Sequence, residues 1–259
     1  MPFIQTKIVN HIGTIAFDNY SKRNALGSDM IHEILTALAD MENQKIRAII
    51  LRSAQNEAVW SAGHDVSELP KSKLDPLPYD DPLLHLIRAI RSHPAPVIAM
   101  VHGGAWGGAC DLVVNCDIVI ADETSAFAIT PAKLGLPYLS SGLLHFMSRM
   151  PLSIVKEMFF SALPISAERA LRAGLVNQLA GEAELEEVTY DLANTIASRS
   201  AEGVTVHKKM LNMLSEANPI TPDQFEYLHG LRRAAYMGAD YSEGIEAFLE
   251  KRTPEFNKS

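Results

Sequence analysis

Apolar and polar positions divide the chain into a first half of short strands and helices and a second half that reads almost wholly as helix. Residues 3–10 and 13–17 alternate or run apolar around His11 and Gly13, which predicts a β-hairpin. A polar loop, Tyr20-Ser21-Lys22-Arg23-Asn24-Ala25-Leu26, then leads to apolar positions Ile31, Ile34, Leu35, Leu38 and Met41 at three- and four-residue spacing. That stripe predicts a helix packed on the core and capped by Ser28 or Asp29. The run Ile46 to Leu51, interrupted by Arg47, predicts a buried strand, as do Val97-Ile98-Ala99-Met100-Val101 and residues 117–121, with a shorter strand over 126–129. A helix over 82–92 places Leu83, Leu84, Ile87 and Ile90 on one side, and His93-Pro94-Ala95-Pro96 ends it. Residues 70–82 are polar and Pro-rich, which suits an exposed segment: a mobile cover for a pocket, or a plain disordered loop.

Beyond Ser141 helices are predicted over 142–150, 152–162, 166–173, 183–199, 201–214, 221–236 and 241–252, with Ser166 and Thr221 as caps and Pro222 in a first helical position. Residues 176–179 read as a short strand. The alternation in the first half implies right-handed ββα units whose turns share one edge of the sheets.

Two of those turns carry candidate chemistry. Gly103-Gly104-Ala105-Trp106-Gly107-Gly108-Ala109-Cys110-Asp111 follows the Val97 strand and runs into a helix, and Trp60-Ser61-Ala62-Gly63-His64-Asp65-Val66 follows the Ile46 strand and a polar loop. Glycines there let the backbone approach a ligand, and amides at a helix start have no intrahelical acceptor. Taken alone, the Gly103 to Asp111 turn is better explained by close packing. Together the two turns can aim one N–H each at a single oxygen.

Composition narrows the class. A chain of 259 residues with 47% hydrophobic residues can bury a large core, as one domain or as one with an appendage. A formal charge of -8 argues against nucleic acid as partner, and requires a local cluster of cations for any polyanionic ligand. Cys110 and Cys116 sit in apolar surroundings without CxxC or CxxH spacing, so they read as core thiols of a reducing compartment and give no sign of a metal site. No leader and no apolar run of about 18 residues is seen, so a cytoplasmic protein with no membrane partner is expected.

With Ser61-Ala62-Gly63-His64-Asp65, the run Gly103 to Asp111 and Cys116-Asp117-Ile118-Val119-Ile120-Ala121 in that order, the chain resembles the crotonase (enoyl-CoA hydratase/isomerase) family of acyl-CoA enzymes. Asn24-Ala25-Leu26 and Ala247-Phe248-Leu249-Glu250-Lys251-Arg252 extend the resemblance over essentially the whole chain. It implies an α/β fold: a crotonase-like spiral of ββα units over residues 1–195 and a C-terminal helical trimerisation region over 196–259. It implies an acyl-CoA thioester as partner, with coenzyme A part of the substrate and no separate cofactor, and a homotrimer or a hexamer built as a dimer of trimers. The thioester oxygen would be held by the backbone amides of His64 and Gly108. Lys22, Ala25, Ala62, Asp65, Val66, Gly107, Asp111, Ala132, Phe248 and Lys251 would line the substrate, with Lys22 and Arg23 facing phosphates or standing as solvated charges.

The sequence departs from the family where the chemistry is decided. Hydratases use two glutamates, because adding water across a double bond moves protons at both carbons. The first falls at Asp111, one methylene shorter, and the second at Ala132, which moves no proton; Tyr138 stands where hydratases usually have glycine. An oxyanion site without a matched base suits a reaction whose electron pair comes from departing carbon dioxide. Within the family, the resemblance implies decarboxylation of methylmalonyl-CoA to propionyl-CoA, with Tyr138 either bonding the departing carboxylate or forming an apolar wall. The imidazole of His64 reads as a bystander, Trp106 as core and Lys133 as a solvated cation. The alternatives are a hydratase or isomerase using Asp111 alone and a non-catalytic acyl-CoA binding protein.

Overall fold

The structure, a computed structural model, describes residues 2–70, 74–215 and 219–256. Strands β1 (Ile4–Val9) and β2 (Ile12–Phe17) form the predicted hairpin, with Ile4 opposite Phe17. Helix α1 (Ser28–Asn43) buries Ile31, Ile34, Leu38 and Met41, the stripe read from spacing. Its cap differs from expectation. Gly27 is the N-cap, and the Glu68 carboxylate closes the helix start by accepting from the Ser28 amide at 2.9 Å and the Ser28 hydroxyl at 2.6 Å. A side chain distant in sequence supplies the acceptor that a local hydroxyl usually gives.

The chain continues through β3 (Ala48–Ser53), β4 (Val59–Ser61), α2 (Pro82–Ser92), β5 (Val97–Val101), β6 (Gly104–Trp106), α3 (Gly108–Asn115), β7 (Ile118–Asp122) and β8 (Ala126–Ala128). Each pass lays one strand in each of two sheets. β3, β5 and β7 enter a six-stranded sheet, and β4, β6 and β8 enter a four-stranded one. The strands within each of these sets pair in parallel. That is the repeating ββα turn the first half implied. Then come α4 (Ser140–Arg149), α5 (Leu152–Ser161), β9 (Ile165–Ser166), α6 (Ala167–Arg172), β10 (Gln178–Ala180), α7 (Leu185–Ala197), α8 (Ala201–Ser215), α9 (Pro222–Tyr236) and α10 (Ala239–Leu249). The large sheet is ordered β1-β2-β3-β5-β7-β10 and the small one β4-β6-β8-β9.

The main core includes Trp60, Val97, Ala99, Leu112 and Phe127, while Leu185 and Ala193 of α7 bury Ile50, Ile98 and Ile120 on the other side of the large sheet. Covered on both faces, β5 is buried along its whole length, which is why it reads as an unbroken apolar run. Ser166 and Thr221 cap α6 and α9 as predicted, Thr221 in a reciprocal box with Gln224.

The segment over 70–82 is less exposed than its composition suggests. Leu77 and Asp81 are each only 7% exposed, and Asp75 accepts from the buried Arg232 of α9 at 2.6 Å. Residues 71–73 lie outside the described residues. Helix α10 returns onto this region, where buried Tyr241 donates to the Pro70 carbonyl at 2.7 Å and Gly244 rests on Leu134. Among the described residues no helix is long and apolar enough to cross a membrane.

Candidate active site

Strands β4 and β6 are parallel neighbours, Ser61 beside Ala105, so the turns that follow them emerge side by side. Gly63 takes φ +86°, and a Cβ there would overlap the Trp106 carbonyl oxygen; close approach of the two turns therefore demands glycine. The Leu26 amide donates to Gly63 O at 2.7 Å and the Asp65 amide to Leu26 O at 3.3 Å, which leaves the intervening His64 N–H on the other side. Gly108 opens α3, so its N–H has no intrahelical acceptor. Neither amide has a protein acceptor among the described residues. A Cβ on Gly108 would stand 3.1 Å from the His64 nitrogen, so the two donors are close neighbours.

A cavity of about 740 Å³ opens at these amides. Ala25, Ala62, His64, Asp65 and Val66 form one wall, Gly107, Gly108, Asp111 and Tyr138 another, and exposed Lys22, Phe248 and Lys251 also line it. Ala132 does not. It is exposed on the 3-10 turn Pro131–Leu134, whose Pro131 and Leu134 lie three residues apart and face the cavity instead. Trp106, expected in the core, is half-buried and lines the cavity, as does Lys133.

Asp111 is 1% exposed and fully engaged. The Tyr138 hydroxyl donates to its Oδ2, and Asn115 Nδ2 donates to its Oδ1 at 2.9 Å; His145 Nδ1 lies 3.9 Å from Oδ1. Burial, and then the negative charge of Asp111, push the Tyr138 phenol well above its ordinary pKa, so it stays protonated. Its ring packs edge-on against Phe159 with centroids 5.4 Å apart. Asn115 escaped the sequence reading, although its place four residues beyond Asp111 on one helix was a usable signal.

The His64 imidazole has a partner at each ring nitrogen. Nδ1 lies 3.2 Å from Asp65 O and Nε2 lies 3.1 Å from Asp81 Oδ2. Burial pulls the imidazole pKa down, but the hydrogen bond and charge of Asp81 outweigh it and leave the value raised. Asp65 accepts from Lys22 Nζ at 3.0 Å and from the Ser67 amide at 3.0 Å; burial alone would raise its carboxyl, and these bonds hold it below the ordinary range. Lys22 is thus partnered within the site. Cys110 and Cys116 are buried thiols pushed up by burial, which makes them poor nucleophiles.

Residues 7–259 match the protein family described as enoyl-CoA hydratase/isomerase. The chain is 41% identical to the methylmalonyl-CoA decarboxylase of Escherichia coli (strain K12) over 254 residues, covering 98% of this chain and 97% of that one. It is 35% identical to human enoyl-CoA hydratase domain-containing protein 3, mitochondrial, covering 94% of this chain and 80% of the relative. A solved structure of methylmalonyl-CoA decarboxylase in complex with 2-nitronate-propionyl-CoA superposes with a TM-score of 0.97 at 41% identity, covering 99% of each chain. The matched length, the paired sheets and the two converging turns agree, and the chain belongs to the enoyl-CoA hydratase/isomerase, or crotonase, family.

Proposed function

We propose that the protein decarboxylates methylmalonyl-CoA to propionyl-CoA through a thioester enolate. The observation that carries this reading is the pair of neighbouring amides, His64 and Gly108, neither with an acceptor among the described residues, beside a carboxylate, Asp111, bonded by Tyr138 and Asn115. Hydration needs a carboxylate free to take and give protons. Decarboxylation does not. The Cα–carboxylate bond breaks heterolytically, its electron pair forms the enolate double bond, and the negative charge moves onto the thioester oxygen. Each amide aimed at that oxygen is worth about 3 kcal/mol in the transition state. Carbon dioxide leaves, and Cα then takes up one proton.

Tyr138 holds the substrate carboxylate out of the thioester plane. Its single hydroxyl hydrogen turns about the Cζ–O bond from Asp111 to the substrate; Asn115 still holds Asp111, and one carboxylate so held does not supply the proton transfers at two carbons that hydration requires. Leu77, Leu83 and Leu84 in the cavity wall suit the α-methyl group, and Lys22, Arg23 and Lys251 offer local positive charge to coenzyme A phosphates in a chain of net charge -8. The similarity to a methylmalonyl-CoA decarboxylase, and to one solved with 2-nitronate-propionyl-CoA, supports the same substrate class. The working unit is a homotrimer or a dimer of trimers.

Mass analysis of products after separate incubation with methylmalonyl-CoA and crotonyl-CoA tests the reading. Propionyl-CoA from the first and no hydrated product from the second is the expected outcome. Hydration of crotonyl-CoA with methylmalonyl-CoA untouched would make Asp111 a working base, and saturable binding without turnover of either would leave an acyl-CoA binding protein.

A further inference from the structure

We infer that Asp81 is a positioning residue for the oxyanion site, acting on the His64 amide through the His64 imidazole; the inference rests on the two-amide reading above. Asp81 stands at the start of α2 and divides its carboxylate between two tasks. Oδ1 accepts from the Leu83 and Leu84 amides at 2.9 and 3.3 Å and so caps the helix, while Oδ2 meets His64 Nε2 at 3.1 Å. Leu83, two residues on, lies against the other oxyanion residue: a Cβ on Gly108 would come within 2.5 Å of Leu83 Cδ2. The first turn of α2 therefore touches both halves of the site, His64 by a hydrogen bond and Gly108 by packing.

The geometry explains why such a brace is needed. The N–H that His64 contributes belongs to the peptide joining it to Gly63, and Gly63 at φ +86° offers little steric resistance to rotation of that peptide. The carbonyl end is held by the Leu26 amide at 2.7 Å. On the other side the Asp65 amide reaches Leu26 O only at 3.3 Å, and the imidazole, bonded at Nδ1 to Asp65 O and at Nε2 to Asp81, adds the second hold. Both side chains of the pair are sheltered, His64 13% and Asp81 8% exposed, so solvent screening weakens the contact little. Remove Asp81 and the ring keeps one anchor, which lets the amide swing off the thioester oxygen.

Asp81→Ser keeps a helix cap but is too short to reach the imidazole, whereas Asp81→Asn keeps the cap and the reach. The readout is the carbonyl stretch of carbon-13-labelled propionyl-CoA bound to the full-length protein, taken by isotope-edited infrared difference spectroscopy, together with kcat and KM for methylmalonyl-CoA. In the wild type the band lies below its free position. Asp81→Ser returns it toward that position and lowers kcat about tenfold with KM within about threefold, a fraction of what losing a whole oxyanion donor costs. Asp81→Asn restores most of both, and adding Asp81→Ser to His64→Ala costs nothing more. A wild-type band position in Asp81→Ser overturns the inference, as does a further loss on top of His64→Ala. A wild-type band at the free position overturns it together with the two-amide site. A shifted band without carbon dioxide release removes the decarboxylase reading alone, and the behaviour of Asp81→Ser still decides the role of Asp81.

Discussion

The Tyr138 hydroxyl gives its hydrogen to Asp111 Oδ2 while Asn115 holds Oδ1 of the same carboxylate at 2.9 Å. Each oxygen of the Asp111 carboxylate therefore has a donor of its own. This pairing also keeps a protonated phenol in the cavity wall, because burial and the adjacent charge both oppose its ionisation.

Tyr138→Phe keeps the ring against Phe159 and loses only the hydroxyl. A hydrogen bond to a charged group is worth about 1.5–3 kcal/mol, so kcat for decarboxylation falls about 10- to 100-fold with KM little changed. Steady-state carbon dioxide release measures this. Unchanged kcat would reduce Tyr138 to a packing residue.

Gly108→Pro removes the amide hydrogen at a first helical position, where proline's backbone is tolerated. Both Pro and Ala add a Cβ against Leu83, so Gly108→Ala carries much of the steric load while keeping the N–H. Decarboxylation by the proline variant falls below that of the alanine variant by about 100- to 1,000-fold, the worth of one oxyanion donor. Equal rates for the two variants would show that the amide carries no charge.

Burial lowers the His64 pKa, but the hydrogen bond and charge of Asp81, with the Asp65 carbonyl and the charge of Glu68, together leave it raised in the fold. A raised histidine contributes stability that is fully present below its unfolded value, about 6.5, and is lost as pH rises through the folded value. Urea unfolding at a series of pH values thus shows wild type most stable relative to His64→Ala below about pH 6.5, with the gap narrowing toward alkaline pH. A gap that widens with pH would contradict the Asp81 contact.

Apolar side chains stand exposed on the late helices: Leu211 66%, Met213 74% and Leu214 68% on α8, and Tyr227 66% on α9. Patches of this kind mark interaction surfaces. Sedimentation equilibrium gives a trimer or a multiple of it for the wild type, and the double substitution Leu211→Glu, Leu214→Glu moves the mass toward a single chain. A wild type already running as a single chain sinks this expectation.

Most strands and helices were legible because periodicity reports which face of a segment is covered, and β5, α1 and α2 each bury one continuous set of apolar residues; β4 and β6, three residues each, overlap the two stretches read as turns and were not. Local caps were legible for the same reason at Ser166 and Thr221, where donor and acceptor lie within one turn. The α1 cap was not, since Glu68 reaches Ser28 from forty residues away. The two glycine turns could be named as a pair, yet their approach within contact distance depends on β4 and β6 being parallel neighbours, a fact of strand order that no local pattern carries.

Most of the elements, and the glycines that permit two exposed amides, could be read from the chain alone. Those follow from side-chain chemistry and local spacing alone. Long-range packing was needed to show that Ala132 is exposed, that Tyr138 donates to Asp111 and that Asp81 meets the His64 imidazole. A hydrogen bond needs its partners within about 3 Å and correctly aimed, and for residues seventeen or twenty-seven positions apart that condition is met by the packing of α2, α3 and the turn after β8 rather than by any property of the residues taken singly.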